Sequence, residues 1–143
     1  MNNLDNIEKV LKELNIIYNK DESFENDIKR ELYLIKFVTN NVIILGGVID
    51  DSNTDEKAIS IMFFFEKPKN LNSDKKIFLY LNKINRSCKF GNFTFDEKVS
   101  EINYNLSIPI LHNNTISEKT FKFYLQNVIS LLRKITEELF IES

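Results

Sequence analysis

Between residues 102 and 110 every second side chain is apolar: Ile102, Tyr104, Leu106, Ile108 and Ile110. Glu101, Asn103, Asn105, Ser107 and Pro109 stand between them. Strict alternation describes a half-buried strand, and a strand with one wet face belongs to an antiparallel sheet rather than a parallel one. The chain must therefore supply neighbouring strands and an apolar cover for one face. Pro109 has no amide hydrogen to give to a ladder, which places that end of the strand near a sheet edge.

The cover lies directly downstream. After Ser117, a residue suited to cap a helix, Phe121, Leu125, Val128, Leu132, Ile135 and Leu139 recur at intervals of four and three along "EKTFKFYLQNVISLLRKITEELFIE". Tyr124, Ile129 and Leu131 widen the stripe beyond what packing on a sheet requires. A second amphipathic helix is expected in "DKKIFLYLNKINRSC", capped by Ser73, with Ile77, Tyr80, Leu81, Ile84 and Cys88 inward. A third is expected in "LDNIEKVLKELNIIY", where Leu4, Ile7, Leu11, Leu14 and Tyr18 share a face.

Strands are expected in "ELYLIKFVT" and "NVIILGGVI", joined at Asn40-Asn41 because Asn tolerates positive φ. Gly46-Gly47 suggests a bulge or a bend. "AISIMFFFE" is apolar on both sides, with Ile59, Ile61, Phe63 and Phe65 on one and Met62 and Phe64 on the other. Such a strand is either covered twice or offers one side to a partner. "NFTFDEK" completes a second hairpin, while "NKDESFENDIKR" and "DDSNTDEK" read as loops. The expected order is α-β-β-β-α-β-β-α: an α+β domain over residues 1–143 with a five-stranded antiparallel sheet and helices packed on it.

Cys88 continues the inner face of the second helix and reads as a small buried hydrophobe rather than a reactive thiol. Gly91 then suits a left-handed position that stops the helix. Phe90, Phe93 and Phe95 pin the joint to the sheet, and Asn82 and Asn85 reach backbone groups there or form part of a ligand or partner surface.

These residues carry a resemblance. Leu81-Asn82, Asn85, Phe90-Gly91, Phe93 to Phe95, Asp96-Glu97 and the return strand, followed by a long final helix, resemble the YbjN family of bacterial proteins. The likeness covers residues 71–140, and reaches residues 1–65 only through the order of elements. Its members are labelled sensory-transduction regulators and are similar in fold to the type III secretion chaperones, small acidic proteins that are usually dimeric and hold a segment of another protein. The resemblance implies a binding role without catalytic residues or cofactor. The chain departs from the pattern in lacking a glycine within Asp96–Lys98.

Composition narrows the function. A formal charge of -2, with lysines scattered among acids, does not provide the basic stripe that nucleic-acid binding requires. One cysteine and one histidine make neither a disulfide nor a Cys/His metal cage. Asp51, Asn53 and Asp55 sit at calcium-loop positions, but Glu56 replaces the required glycine and Met62 the bidentate glutamate. "LGGVIDD" lacks the lysine and helix of a phosphate loop, and His112 has no designated nucleophile beside it.

No signal peptide is visible in "MNNLDNIEKV", and "VIILGGVI" is too short to span a bilayer, so the cytoplasm is expected without membrane contact. The function expected is a non-enzymatic protein-binding module, chaperone-like or regulatory, and homodimeric. Its candidate partner surface is Met62, Phe64, Tyr124, Leu131 and Phe140. The alternatives are a small-ligand sensor with a pocket lined by Tyr80, Tyr104 and Asn85, or a hydrolase built around His112.

Overall fold

A computed structural model describes residues 3–25, 27–69, 71, 73–110 and 115–141. It contains α1 (Asn3–Glu13), β1 (Tyr18–Glu25), β2 (Ile28–Thr39), β3 (Val42–Asp51), β4 (Ala58–Glu66), α2 (Asp74–Ser87), β5 (Asn92–Asp96), β6 (Glu101–Pro109) and α3 (Glu118–Ile141). The strands form one antiparallel sheet of six in the order β1-β2-β3-β4-β6-β5. The α+β class is as expected, but the sheet has six strands, not five.

The added strand is β1, in the polar stretch expected to be a loop. Its eight residues pair with β2 from Tyr18↔Ile35 to Glu25↔Ile28. Alternating hydrophobicity does not mark it because it is an edge strand whose inward positions are Tyr18, Lys20 and Glu22. Lys20 and the Tyr18 hydroxyl both bond Glu8 of α1, at 2.5 and 2.9 Å. The Lys20 ammonium holds the Glu8 carboxyl below its ordinary range, with the Tyr18 bond adding to the effect and partial burial opposing it. The first helix is correspondingly shorter than its pattern suggested. Asn15 takes φ 56°, and the Ile16 amide returns to the Leu11 carbonyl, which ends the helix before Tyr18.

The β2–β3 hairpin turns at Asn40 and Asn41, with φ 52° and 63°, as their residue types require. Asn40 also donates to the Arg133 carbonyl and the Thr136 hydroxyl, tying the turn to α3. Pairing runs through Gly46 and Gly47 without a bulge, since Ile35↔Gly46 and Leu34↔Gly47 are in unbroken register. The glycines answer to a close approach of strands instead. A Cβ at Gly46 would overlap the Met62 carbonyl oxygen, and one at Gly47 the Tyr33 carbonyl oxygen. The loop expected in "DDSNTDEK" is enclosed at its start. Arg30 grips Asp51 bidentately at 2.5 and 3.1 Å, and Ser52 bonds the Asp50 carboxylate, so Asp50, Asp51, Ser52 and Thr54 are buried.

All three helices cover one face of the sheet. The α3 stripe from Phe121 to Leu139 is buried as its spacing required, against Ile59, Ile61, Phe63 and Phe65 of β4 and the apolar row of β6. Ion pairs Lys9–Glu118 and Lys122–Glu13 set α1 beside α3, and the Tyr80 hydroxyl meets Glu138 from α2. Ser117 and Ser73 cap α3 and α2, accepting from the amides of Thr120 and Lys76 at 3.1 and 3.4 Å.

Tyr33 and Tyr104 lie wholly within this core, and burial pushes both phenols well above their ordinary range. Below about pH 10 both are protonated whether the chain is folded or not, so neither makes stability depend on pH. Above it the unfolded chain releases protons that the folded chain keeps, and stability falls as pH rises, by about 1.4 kcal/mol per pH unit for each tyrosine. Urea midpoints measured on either side of pH 10 should show this decline, and Tyr104→Phe should make it shallower. A flat profile would contradict the burial of both rings.

Candidate functional site

Opposite the helices the sheet is open. Alternation that sends Tyr33, Ile35, Ile44 and Val48 inward sends Leu32, Leu34, Val38, Ile43, Leu45 and Ile49 to the outer face, beside Met62 and Phe64 of β4. Leu34, Val38, Ile43, Leu45 and Met62 are 38% to 60% exposed. Around this apolar centre lie Asn19 and Asp21 on β1 and Asn103, Asn105 and Ser107 on β6, while Lys36 stands within it, between Leu34 and Val38 on β2 and beside Leu45. Gly47 sits in the middle, with Leu34 on one side and Met62 on the other. Over it lies a hollow of about 440 Å³ whose outer walls are Leu32, Leu34, Leu45, Ile49, Met62 and Phe64.

Of the expected partner surface, the structure brings Met62 and Phe64 together here. Tyr124 and Leu131 are elsewhere, because α3 lies on the covered side of the sheet, whereas Phe140, at the end of α3, lines a cavity at the end of the sheet together with Ile43, Leu45 and Phe64. Tyr124, Leu131 and Phe140 are half-buried, packed against the core. Tyr124 meets Phe90 and Phe123 at ring distances of 5.0 and 5.6 Å, and Phe140 meets Phe65 at 6.0 Å. Tyr124 and Leu131 form no common surface with Met62. The outer residues of β2 and β3 were missed as a site although the signal was present, since "ELYLIKFVT" and "VIILGGVI" are also apolar at both parities.

Both sheet edges are guarded. At β5 the Asn85 side chain donates to the Phe93 carbonyl and accepts from the Phe93 amide, each at 2.8 Å, and so takes the place a next strand would occupy. At β1 the guards are its charges, including the inward-facing Lys20. Recognition by strand addition therefore has less to offer here than recognition across the face.

The joint after α2 is held by hydrogen bonds to its backbone. Asn85 performs the backbone-bonding task expected of it, whereas Asn82 is exposed. The helix ends at Ser87, with the Cys88 amide bonded to the Ile84 carbonyl, so Gly91 is not its stop signal. Gly91 does take φ 75°, but it serves the turn into β5, where the Tyr104 hydroxyl donates to the Phe90 carbonyl at 2.8 Å. The next turn manages without glycine: Ser100 adopts φ 56° and the Asp96 carboxylate accepts from the Lys98 amide. Burial pushes the Cys88 thiol up, with Lys134 opposing, which disfavours the thiolate.

Tyr80, Tyr104 and Asn85, the suggested ligand pocket, bond Glu138, Phe90 and Phe93 separately and do not converge on one cavity. His112 lies outside the described residues. Among the described residues no group of three or more His, Cys, Asp or Glu is placed to hold a metal ion, and no helix is long and apolar enough to cross a membrane. The chain matches no family model, no curated protein and no solved structure.

Proposed function

We propose that this chain is a non-enzymatic protein-binding module, chaperone-like or regulatory in the manner of the YbjN family and the secretion chaperones it resembles, working in the cytoplasm. The observation that carries the reading is the open face of the sheet, where Leu34, Val38, Ile43, Leu45, Met62 and Phe64 stand together without a covering layer among the described residues. Apolar side chains at the centre with amides and hydroxyls at the rim match the anatomy of a protein interface. Burying such side chains against a partner contributes about 25 cal/mol for each Å² removed from water. A flat face without strand-edge access selects a folded surface over a single extended peptide.

The test is a benzophenone photocrosslinker placed at position 62 and, as control, at the exposed Lys119 on the outer side of α3. Irradiation in the cells that make the protein should give a discrete protein adduct from position 62 and none from position 119. Equal or absent crosslinking at the two positions would defeat the reading.

A further inference from the structure

We infer that the surface recognised by this face is the same face of a second copy, so that two sheets stack with the helices outward. The inference rests on the protein-binding reading and names its partner. Six strands about 4.8 Å apart and about 25 Å long present roughly 700 Å², close to the approximately 800 Å² each partner contributes to a stable complex.

The pattern on the face is self-complementary. A two-fold axis parallel to the strands and passing between β3 and β4 lays β3 of one copy over β4 of the other, and β2 over β6. Gly47 and Met62 are register partners in adjacent strands. The axis therefore sets the partner's Met62 above the Gly47 hollow and, reciprocally, this Met62 above the partner's hollow. The neighbouring row behaves alike, since Leu45 and Phe64 are also register partners and exchange places under the same operation.

Charges are placed compatibly. One titratable group stands among Leu34, Val38, Ile43, Leu45, Met62 and Phe64: Lys36, between Leu34 and Val38 on β2 and beside Leu45 on β3. The register pair Glu66 and Glu101 flanks the centre across β4 and β6. The same axis brings Lys36 of each copy over β6 of the other, beside Asn103 and towards that acidic pair. Stacked sheets pack about 10 Å apart with side chains interdigitated, and the Gly47 hollow gives a methionine room to enter.

Light scattering of the full chain at micromolar concentrations is the test, with Met62→Lys and Leu34→Lys as variants and circular dichroism to establish that each folds. The expected mass of the unaltered protein is twice 16.9 kDa. Either lysine should weaken the dimer at least ~10-fold, because it adds an uncompensated charge to the buried contact, while Met62→Leu leaves it intact. A single-chain mass for the unaltered protein overturns the inference, and so does a dimer that both folded lysine variants retain. Binding of anilinonaphthalene sulfonate separates the two readings when the protein is a monomer. Dye bound by the unaltered protein and lost in Met62→Lys leaves the module reading standing with a different partner; no dye bound overturns both.

Discussion

Gly46→Val is expected to lower the free energy of unfolding by about 4 kcal/mol, and Gly46→Ala by nearly as much. Propensity alone predicts the opposite, since valine favours strands and a glycine inside one weakens it by roughly 0.5–1 kcal/mol. The sign is decided by space. Gly46 lies in β3 between Ile35 and Phe63, and a Cβ there would overlap the Met62 carbonyl and stand 2.8 Å from Phe63 Cδ1. A side-chain tip can swing aside, but a backbone carbonyl in mid-strand moves only if β3 and β4 separate. Each ladder bond then lost costs about 1 kcal/mol, and Phe63 would also leave its edge-to-face contact with Phe37, at a ring distance of 5.6 Å. Urea midpoints decide the matter. A midpoint at or above that of the unaltered protein would show that the strands have slack here. Because Met62 supplies the carbonyl, the same displacement should disturb the open face and weaken self-association along with stability.

Most of the fold was legible because its elements lie in one of two regimes. Where one face is buried and the other wet, as in residues 102–110 and 121–139, side-chain period reports structure directly, and the inward residues fell where their spacing placed them. Edge strand β1 escaped because a strand that packs through Lys20 and Tyr18 on Glu8 has no apolar alternation to read. The open face was half legible. Met62 and Phe64 were singled out, but the doubly apolar β2 and β3 did not disclose that their second side was uncovered. A run apolar at both parities fits a strand sandwiched between two layers as well as one awaiting a partner, and only the placement of α3 separates the two. That placement also separates Tyr124 and Leu131 from Met62 and Phe64, and leaves Phe140 at the border of the open face.

Gly91→Val is expected to cost about 3 kcal/mol or more, and the reason differs from the one a helix stop would supply. A non-glycine residue at φ 75° pays about 1–2 kcal/mol. This asparagine-rich chain meets that demand elsewhere without glycine, at Asn15, Asn40, Asn41, Asp27, Lys57 and Ser100. Its three glycines are kept where a Cβ has no room. At Gly91 the obstruction is the Tyr104 phenol, which packs on Phe93 at 4.8 Å between ring centroids and bonds the Phe90 carbonyl. Any side chain at 91 must displace the ring from both. Gly91→Asn separates the causes, because asparagine tolerates the dihedral but still meets the phenol. It should remain destabilising by about 2 kcal/mol in the unaltered protein, from overpacking and the lost hydrogen bond. In a Tyr104→Leu background, where the ring is gone, the same substitution should cost well under half as much. The double-mutant cycle from denaturant midpoints then yields a coupling of about 1 kcal/mol or more between positions 91 and 104. Additive costs would mean that the dihedral alone, and not the ring beneath it, keeps a glycine at this joint.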